Sequence, residues 1–172
     1  GNQFRGLRVP NGSNLTFLAG NVGINGLGVS AGLHAFGGQV ALVAIGGPGE
    51  INIGPEGELI IVEVVSNGEV LLTNLALLDV SFDSGGDINI TAGDIDITNA
   101  SFLNAGISEG LGFEDSQAGN IVLNATRGLT VGASSRIEND VDRFAVGNAG
   151  NIEINSDTLR AIESSQISSS IF

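Results

Sequence analysis

The chain has 172 residues, of which 42% are hydrophobic, so it can bury the core of one domain. Its formal net charge is −13 and it has no Lys. This excludes the basic surface that nucleic acid or an anionic membrane requires, and we predict no nucleic-acid partner and no direct membrane insertion. Cys is also absent: in a cytosolic protein this indicates little, whereas in an exported protein it would mean that no disulfide locks the chain before it threads a pore.

Residues Gly1 to Ser13 are predicted to form a ragged N-terminal segment. They are polar, rich in Gly and end in the turn-forming sequence Pro10-Asn11-Gly12. Position 1 is not Met, and no charged and then apolar leader opens the chain. We therefore expect these residues to belong to a longer polypeptide.

The next region, residues 14–84, repeats a short pattern in which Gly precedes a polar residue and two aliphatic residues two positions apart. Copies occur at Gly20 to Ile24, Gly38 to Leu42, Gly49 to Ile53, Gly57 to Ile61 and Gly68 to Leu72. Residues two apart share one face of a strand, so each copy predicts a very short strand with one buried face, preceded by a bend at Gly. Such strands must stack to bury that face, which predicts a solenoid. The Ser66-Asn67-Gly68 turn also favours an antiparallel hairpin outside the coils.

The clearest repeat covers residues 85–172. Motif glycines at Gly86, Gly119 and Gly150 lie 33 and 31 residues apart, and each is followed by three short aliphatic segments. This spacing predicts an all-β, triangular parallel solenoid of about six coils. Ile88, Ile121 and Ile152 would be neighbours along its axis, and Asn residues at the corners would form hydrogen-bonded ladders. The chain stops inside a unit, so we expect the last coil to be truncated.

Two long charged stretches, Asn104 to Gln117 and Glu138 to Asn148, are predicted to be loops that protrude from the coils. Recognition residues tend to lie on loops that a rigid scaffold supports. The best candidates for contact with a partner are Glu109, Glu114, Asp115, Asp140, Asp142 and Arg143. The alternative interpretation is that these charges only keep the surface soluble.

Other polar residues predict no catalytic, metal or cofactor site. Asp94 and Asp96 flank Ile95 and would face solvent, near Asp87 on the preceding strand. A Ca²⁺ site there is the weaker alternative, because the calcium-binding glycine-rich repeat is missing. His34 is the only His, so neither a typical zinc site nor a catalytic triad is indicated.

Two segments of the repeat resemble a known family, Ala149-Gly150-Asn151-Ile152-Glu153-Ile154 and Ser165-Gln166-Ile167-Ser168-Ser169-Ser170. With the stretch Val9 to Val22, they are similar to filamentous haemagglutinin-like large exoproteins of the cyanobacterial type, which use two-partner secretion. The likeness covers about Val9 to Phe172. The Asn-Pro-Asn-type signature of the family's secretion domain is missing, so the resemblance implies passenger sequence.

The resemblance further implies a right-handed parallel β-helix in a secreted or cell-surface adhesin. Its partners would be the outer-membrane secretion pore during export and a glycan or protein of a host or neighbouring cell. We therefore expect a non-catalytic structural and binding segment without cofactors. Two alternatives stay open: the shaft of a contact-dependent toxin, and a pectate lyase-like enzyme in which stacking brings Arg127 or Arg136 near Asp87, Asp94 and Asp96.

Overall fold

The computed structural model describes residues 5–28, 31–54, 59–64 and 68–172. Within these ranges the chain forms β-strands and no helix, so no helix there could cross a membrane. The strands are β1 (Gly6–Arg8), β2 (Leu15–Ala19), β3 (Val22–Asn25), β4 (Gly32–His34), β5 (Gln39–Ala44), β6 (Gly49–Ile53), β7 (Leu59–Val64), β8 (Glu69–Thr73), β9 (Leu77–Asp79), β10 (Asp87–Ile97), β11 (Phe102–Ile107), β12 (Gly112–Gln117), β13 (Ile121–Val131), β14 (Arg136–Val141), β15 (Val146–Asn148), β16 (Ile152–Ala161) and β17 (Gln166–Ser168).

Parallel pairing between strands far apart in the sequence dominates the described structure. One ladder runs β1-β4-β9-β11-β14-β17, and a second runs β2-β5-β10-β13-β16. The long strands β10 and β13 each contain a register shift, after which β10 pairs with β8, and β8 with β3. Ile88 pairs with Ile121, and Ile121 pairs with Ile152, which confirms the predicted stacking. The all-β, mostly parallel arrangement is consistent with a solenoid.

The registers align aliphatic side chains into columns that fill one hydrophobic core. Three columns are Leu15, Val40, Ile88, Ile121 and Ile152; Val22, Val70, Ile95, Leu129 and Leu159; and Leu7, Leu33, Leu78, Leu103, Ile137 and Ile167. Central members such as Ile88 and Ile121 are fully buried. Burying one such side chain contributes about 1.5–3 kcal/mol, so the repeated columns stabilise the stack.

The motif glycines Gly86, Gly119 and Gly150 are required for close packing between strands, a different reason from the predicted bend. Gly86, Gly119 and Gly150 do not have the positive φ that favours glycine. A Cβ on Gly86 would lie 2.6 Å from the carbonyl oxygen of Gly38. A Cβ on Gly119 or Gly150 would meet the carbonyl oxygen of the motif Gly in the preceding unit. These glycines therefore form a column with no room for side chains.

After several motif glycines, the polar residue that follows binds the backbone of a stacked unit. Asp87 Oδ1 accepts a 2.7 Å hydrogen bond from the Asn120 N–H, and Asn120 Oδ1 accepts one of 3.0 Å from the Asn151 N–H. In the first units, Asn21, which follows the motif Gly20, accepts a 2.8 Å bond from the Glu69 N–H through its Oδ1. The predicted ladder of corner Asn side chains is present in a different form, as bonds from Asn and Asp side-chain oxygens to backbone N–H groups of the stacked unit. It also satisfies backbone donors at the beginning of the strands.

Another corner recurs just before the ladder that contains β9, β11, β14 and β17. Its residues have φ between 48° and 63° although none is Gly, and they are Asn74, Leu75, Asn99, Ala100, Ala133, Ser134, Glu163 and Ser164. A non-Gly residue in this conformation costs roughly 1–2 kcal/mol. Backbone bonds between neighbouring corners offset this cost: the Ala100 N–H donates to the Ala133 carbonyl and the Ser134 N–H to the Glu163 carbonyl.

The region Gly49 to Val64 departs from the prediction of stacked strands. β6 and β7 pair with each other in antiparallel orientation and lie between β5 and β8 in the sequence. They are excluded from the stack because β5 and β8 already occupy the ladder positions next to β10. Residues 55–58 between the two strands, and residues 65–67 in the alternative hairpin turn, lie outside the described residues.

The two predicted loops are also largely strands, so the expectation of protruding loops is wrong in this respect. β11 and β14 extend to Ile107 and Val141, and β12 pairs in parallel with β15. The apolar side chains of Ile107, Val141 and Ala118 form a second small core.

At the other end of the chain, Gly6–Arg8 of the segment predicted to be ragged forms β1 and pairs with β4.

Candidate binding surface

The pairing of β12 with β15 brings together most of the residues predicted to contact a partner. The Gly110 N–H donates to the Arg143 carbonyl (3.2 Å), and the Val146 N–H donates to the Leu111 carbonyl (3.0 Å). Residues 110–112 and 143–146 therefore lie side by side, and residues 113–116 follow as an unpaired insertion in β12. On these two segments and next to them, Glu109, Glu114, Asp115, Asp142 and Arg143 are all exposed.

Asp140 has a different position from the other predicted contact residues. It lies on β14 and is half-buried. Its Oδ1 accepts a 2.7 Å hydrogen bond from the Ser170 N–H, which holds the last residues of the described chain against β14. Burial raises the pKa of Asp140, opposed by this hydrogen bond. Asp140 therefore has a structural role in the stack and is not part of the exposed charged surface.

The sequence analysis missed four apolar side chains that are exposed among these charges. The exposed fractions are 39% for Leu111, 59% for Phe113, 77% for Phe144 and 50% for Val146. We call these four residues the apolar patch. They lie on the two segments that the backbone hydrogen bonds hold together. The alternation that identifies buried strands is absent there, so the only available signal was the presence of two Phe in otherwise charged segments.

The backbone around the apolar patch is irregular and closely packed. The Phe113 N–H donates a 3.0 Å hydrogen bond to Oγ of the buried Ser116, which tightens the start of β12. Phe144 has φ of 62°, and Gly112 and Gly147 have positive φ at the positions where the strands bend. A Cβ on Gly112 would meet the Val146 carbonyl oxygen, so only Gly permits this close approach of the two segments.

A second polar feature is a column on the ladder containing β4, β9, β11 and β14. His34, Asp79, Asn104 and Glu138 occupy equivalent positions on successive strands. His34 is buried: its ring is 5.7 Å from that of Phe36, and Nε2 lies 3.3 Å from the Arg5 carbonyl oxygen. The expectation that His34 is neither a zinc ligand nor a triad member stays a prediction.

Asp79 is a largely buried carboxyl in this column. Burial raises its pKa from the ordinary value of 3.8, and hydrogen bonds from Ser81 oppose the rise. Its Oδ1 accepts hydrogen bonds from Ser81 Oγ (2.7 Å) and from Asn104 Nδ2 (3.2 Å). Burial also raises the pKa of Glu138. Burial in the folded chain therefore opposes ionisation of the Asp79 and Glu138 carboxyls.

We expect Asp79→Asn to raise the melting temperature at pH 7 by a few degrees. A raised pKa means that the folded chain holds the proton more tightly than the unfolded chain does. The protonated Asp79 carboxyl therefore gives its full stabilisation below about pH 3.8. This stabilisation is lost as the pH rises through the folded-state pKa and the carboxyl ionises. Asparagine keeps the accepting oxygen without the buried charge. Thermal unfolding between pH 4 and pH 7 should show the gain shrinking toward pH 4, whereas the exposed Asp115→Asn should show no such trend.

Two of the acidic residues of β10, Asp87 and Asp94, form bonds to the neighbouring strand β13 or to the residue before it. Arg127 donates through Nε (2.8 Å) and Nη2 (2.6 Å) to Oδ2 of Asp94, and its guanidinium lies against Gly93. Stacking thus brings Arg127 to Asp94, as the enzyme alternative requires. Arg136 instead lies 3.5 Å from Glu138. Both partners of the Arg127–Asp94 pair are about half exposed, so the pair contributes little, about 0–1 kcal/mol, to stability.

Similarity to known proteins assigns no role to these surfaces. Comparison with protein-family models, with curated proteins and with solved structures gives no match. In the part of the chain that the structure describes, no three side chains of His, Cys, Asp or Glu are close enough to hold one metal ion. The strongest candidate site is therefore the apolar patch with its surrounding charges.

Proposed function

We propose that the chain is a non-catalytic shaft and binding segment of a secreted or cell-surface adhesin that is exported by two-partner secretion. In this proposal it folds as a right-handed, triangular β-helix of about six coils. The observation that carries it is the parallel pairing of β10, β13 and β16, in which equivalent motif positions lie opposite each other on both sides of one register shift. A stack of this kind extends in one direction and holds side strands such as β12 and β15 at fixed positions.

Composition supports export and a surface role for such a shaft. The absence of Cys leaves the unfolded chain free of disulfides during passage through an outer-membrane pore. The net charge of −13 opposes lateral association of the strand-rich shaft with other copies of itself. A glycan or protein of a host or neighbouring cell would then be bound by residues at the side of the shaft.

An export assay tests this proposal. The segment is fused behind a two-partner secretion domain and produced with the matching outer-membrane pore. We expect it to appear outside the cell in amounts close to those of a known passenger. The matched control carries Ala41→Cys and Asn89→Cys, because these residues are directly paired on β5 and β10. Neighbouring strands lie about 4.8 Å apart, within the range of Cα separations that a disulfide spans, so oxidation of this variant before export should block its passage. Retention of the unmodified segment under conditions that export the known passenger would contradict the proposal.

A glycan-active enzyme is the second candidate, and the proximity of Arg127 to Asp94 favours it. Against it, Asp94 is held by this ion pair and Asp87 by the Asn120 N–H, so both carboxylates already serve to join strands. Incubation with polygalacturonate distinguishes the two candidates. Turnover of polygalacturonate by the wild type that is lost in Asp94→Asn would favour the enzyme. We expect no turnover.

A further inference from the structure

We infer that the apolar patch binds a protein segment in which apolar side chains are flanked by Lys or Arg. The inference rests on the proposed binding role of the chain and specifies the partner. The patch combines the exposed side chains of Leu111, Phe113, Phe144 and Val146 with nearby carboxylates. A partner must match both of these features.

The apolar part of the argument is the exposure of two Phe rings. Phe113 and Phe144 are 59% and 77% exposed on adjacent segments, with Leu111 and Val146 on the same two segments. Single exposed apolar residues are common, but a rigid group of them marks an interaction surface. One Phe can bury about 150–250 Å² on binding, so two rings supply the anchors of a small interface.

The charged part of the argument selects the partner. Glu109, Glu114, Asp115 and Asp142 supply four exposed carboxylates to these segments, and Arg143 supplies one guanidinium. A partner with Lys or Arg beside its apolar anchors would complement this field. A second copy of this chain would instead place carboxylates against carboxylates, at a net charge of −13 for each copy. An anionic lipid surface fails for the same reason.

The patch is also held in place before a partner arrives. Its two segments are joined by backbone hydrogen bonds and lie next to the small core of Ile107, Ala118 and Val141. Little backbone entropy would then be lost on binding, which favours affinity for a given contact area. The surface therefore has the properties of a built docking site.

Fluorescence titration with a synthetic peptide tests the inference. The chain contains no Trp and no Tyr, so the emission of one Trp in the peptide reports binding without background. The probe is a short peptide in which Leu alternates with Lys around that Trp, and its counterpart carries Glu in place of Lys. We expect the Lys peptide to show a blue shift and a dissociation constant on the order of 10 μM at low salt, weakening as salt is added. The Glu peptide should not bind.

Variants separate the apolar patch from general attraction by charge. F113S with F144S keeps every charge and should weaken binding by about tenfold or more. The matched control is Leu27→Ser, which removes another strongly exposed apolar side chain far along the sequence and should bind as the wild type does. Glu114→Gln with Asp115→Asn should weaken binding and reduce its salt dependence. Far-UV circular dichroism verifies that each variant is folded.

The inference is overturned if F113S with F144S binds the Lys peptide as tightly as the wild type, since binding is then electrostatic only. It is equally overturned if the peptide does not bind, or if a panel of neutral oligosaccharides binds instead and that binding needs the two Phe. The export assay does not involve this patch. Failure of peptide binding with normal export would therefore count against the partner and leave the proposed shaft intact.

Discussion

Replacing Ile121 with Ala is expected to lower the free energy of unfolding by about 2–5 kcal/mol. Ile121 is fully buried and lies between Ile88 and Ile152 in one column of the core. Truncation would leave a cavity that the neighbouring strands cannot fill, because parallel pairing on both sides holds β13 in register. The cost should therefore lie well above that of a site where the chain can relax.

The matched control is Ile162→Ala, because this residue is 37% exposed and lies just after β16. We expect its cost to be below about 1 kcal/mol. Denaturant unfolding measures the loss in the free energy of unfolding for both variants. It is followed by far-UV circular dichroism, because the chain has no Trp or Tyr for fluorescence. Equal losses for the two variants would mean that the predicted column does not carry the stability of the stack.

The stacked columns could be predicted because their signal is periodic. Ile88, Ile121 and Ile152 occupy the same position after a motif Gly, and any stack that buries one of them buries all three. The register of β16 through Leu159 also follows from this repeat, although the local sequence resembles a helical turn. Repetition thus supplies information on distant pairing that a single strand pattern lacks.

The hairpin of β6 and β7 could not be predicted from the same signal. Gly49 to Ile53 matches the motif as well as Gly38 to Leu42 does, yet only the second stretch joins the stack. The difference arises from competition for ladder positions, which depends on all units together and not on the local residues. The recurring corners with positive φ could not be predicted for a related reason. Ala133 and Ser134 have no intrinsic preference for positive φ, and hydrogen bonds to the neighbouring corner hold them in that conformation.

The sequence predicted the charged residues of the candidate site but not its exposed apolar side chains. Glu114, Asp115 and Asp142 attracted attention because charged stretches interrupt the repeat. Phe113 and Phe144 gave no such indication, since an isolated Phe in an irregular segment is compatible with burial as well as exposure. Only the structure shows that both rings are exposed and that they belong to two segments joined by backbone hydrogen bonds.

Replacing Gly119 with Ala is expected to lower the free energy of unfolding by about 1–3 kcal/mol, although it adds a single methyl group. The new Cβ would lie 2.6 Å from the carbonyl carbon of Gly86 and 2.8 Å from Asp87 Oδ1, the atom that accepts the Asn120 N–H. Backbone atoms in a ladder cannot move aside as a flexible side chain can. The strain should therefore separate β10 from β13 where the two strands begin to pair.

Gly23→Ala is expected to raise the free energy of unfolding, whereas Gly119→Ala lowers it. Comparing the two variants therefore tests the glycine column. A Cβ on Gly23 has nothing within 4 Å, and its φ is not in the positive range. Ala there restricts the unfolded chain and should raise the free energy of unfolding by roughly 0.4–1 kcal/mol. Denaturant unfolding of both variants decides the matter. If Gly119→Ala were neutral or stabilising, the motif glycines would be needed for backbone freedom and not for the close approach of stacked units.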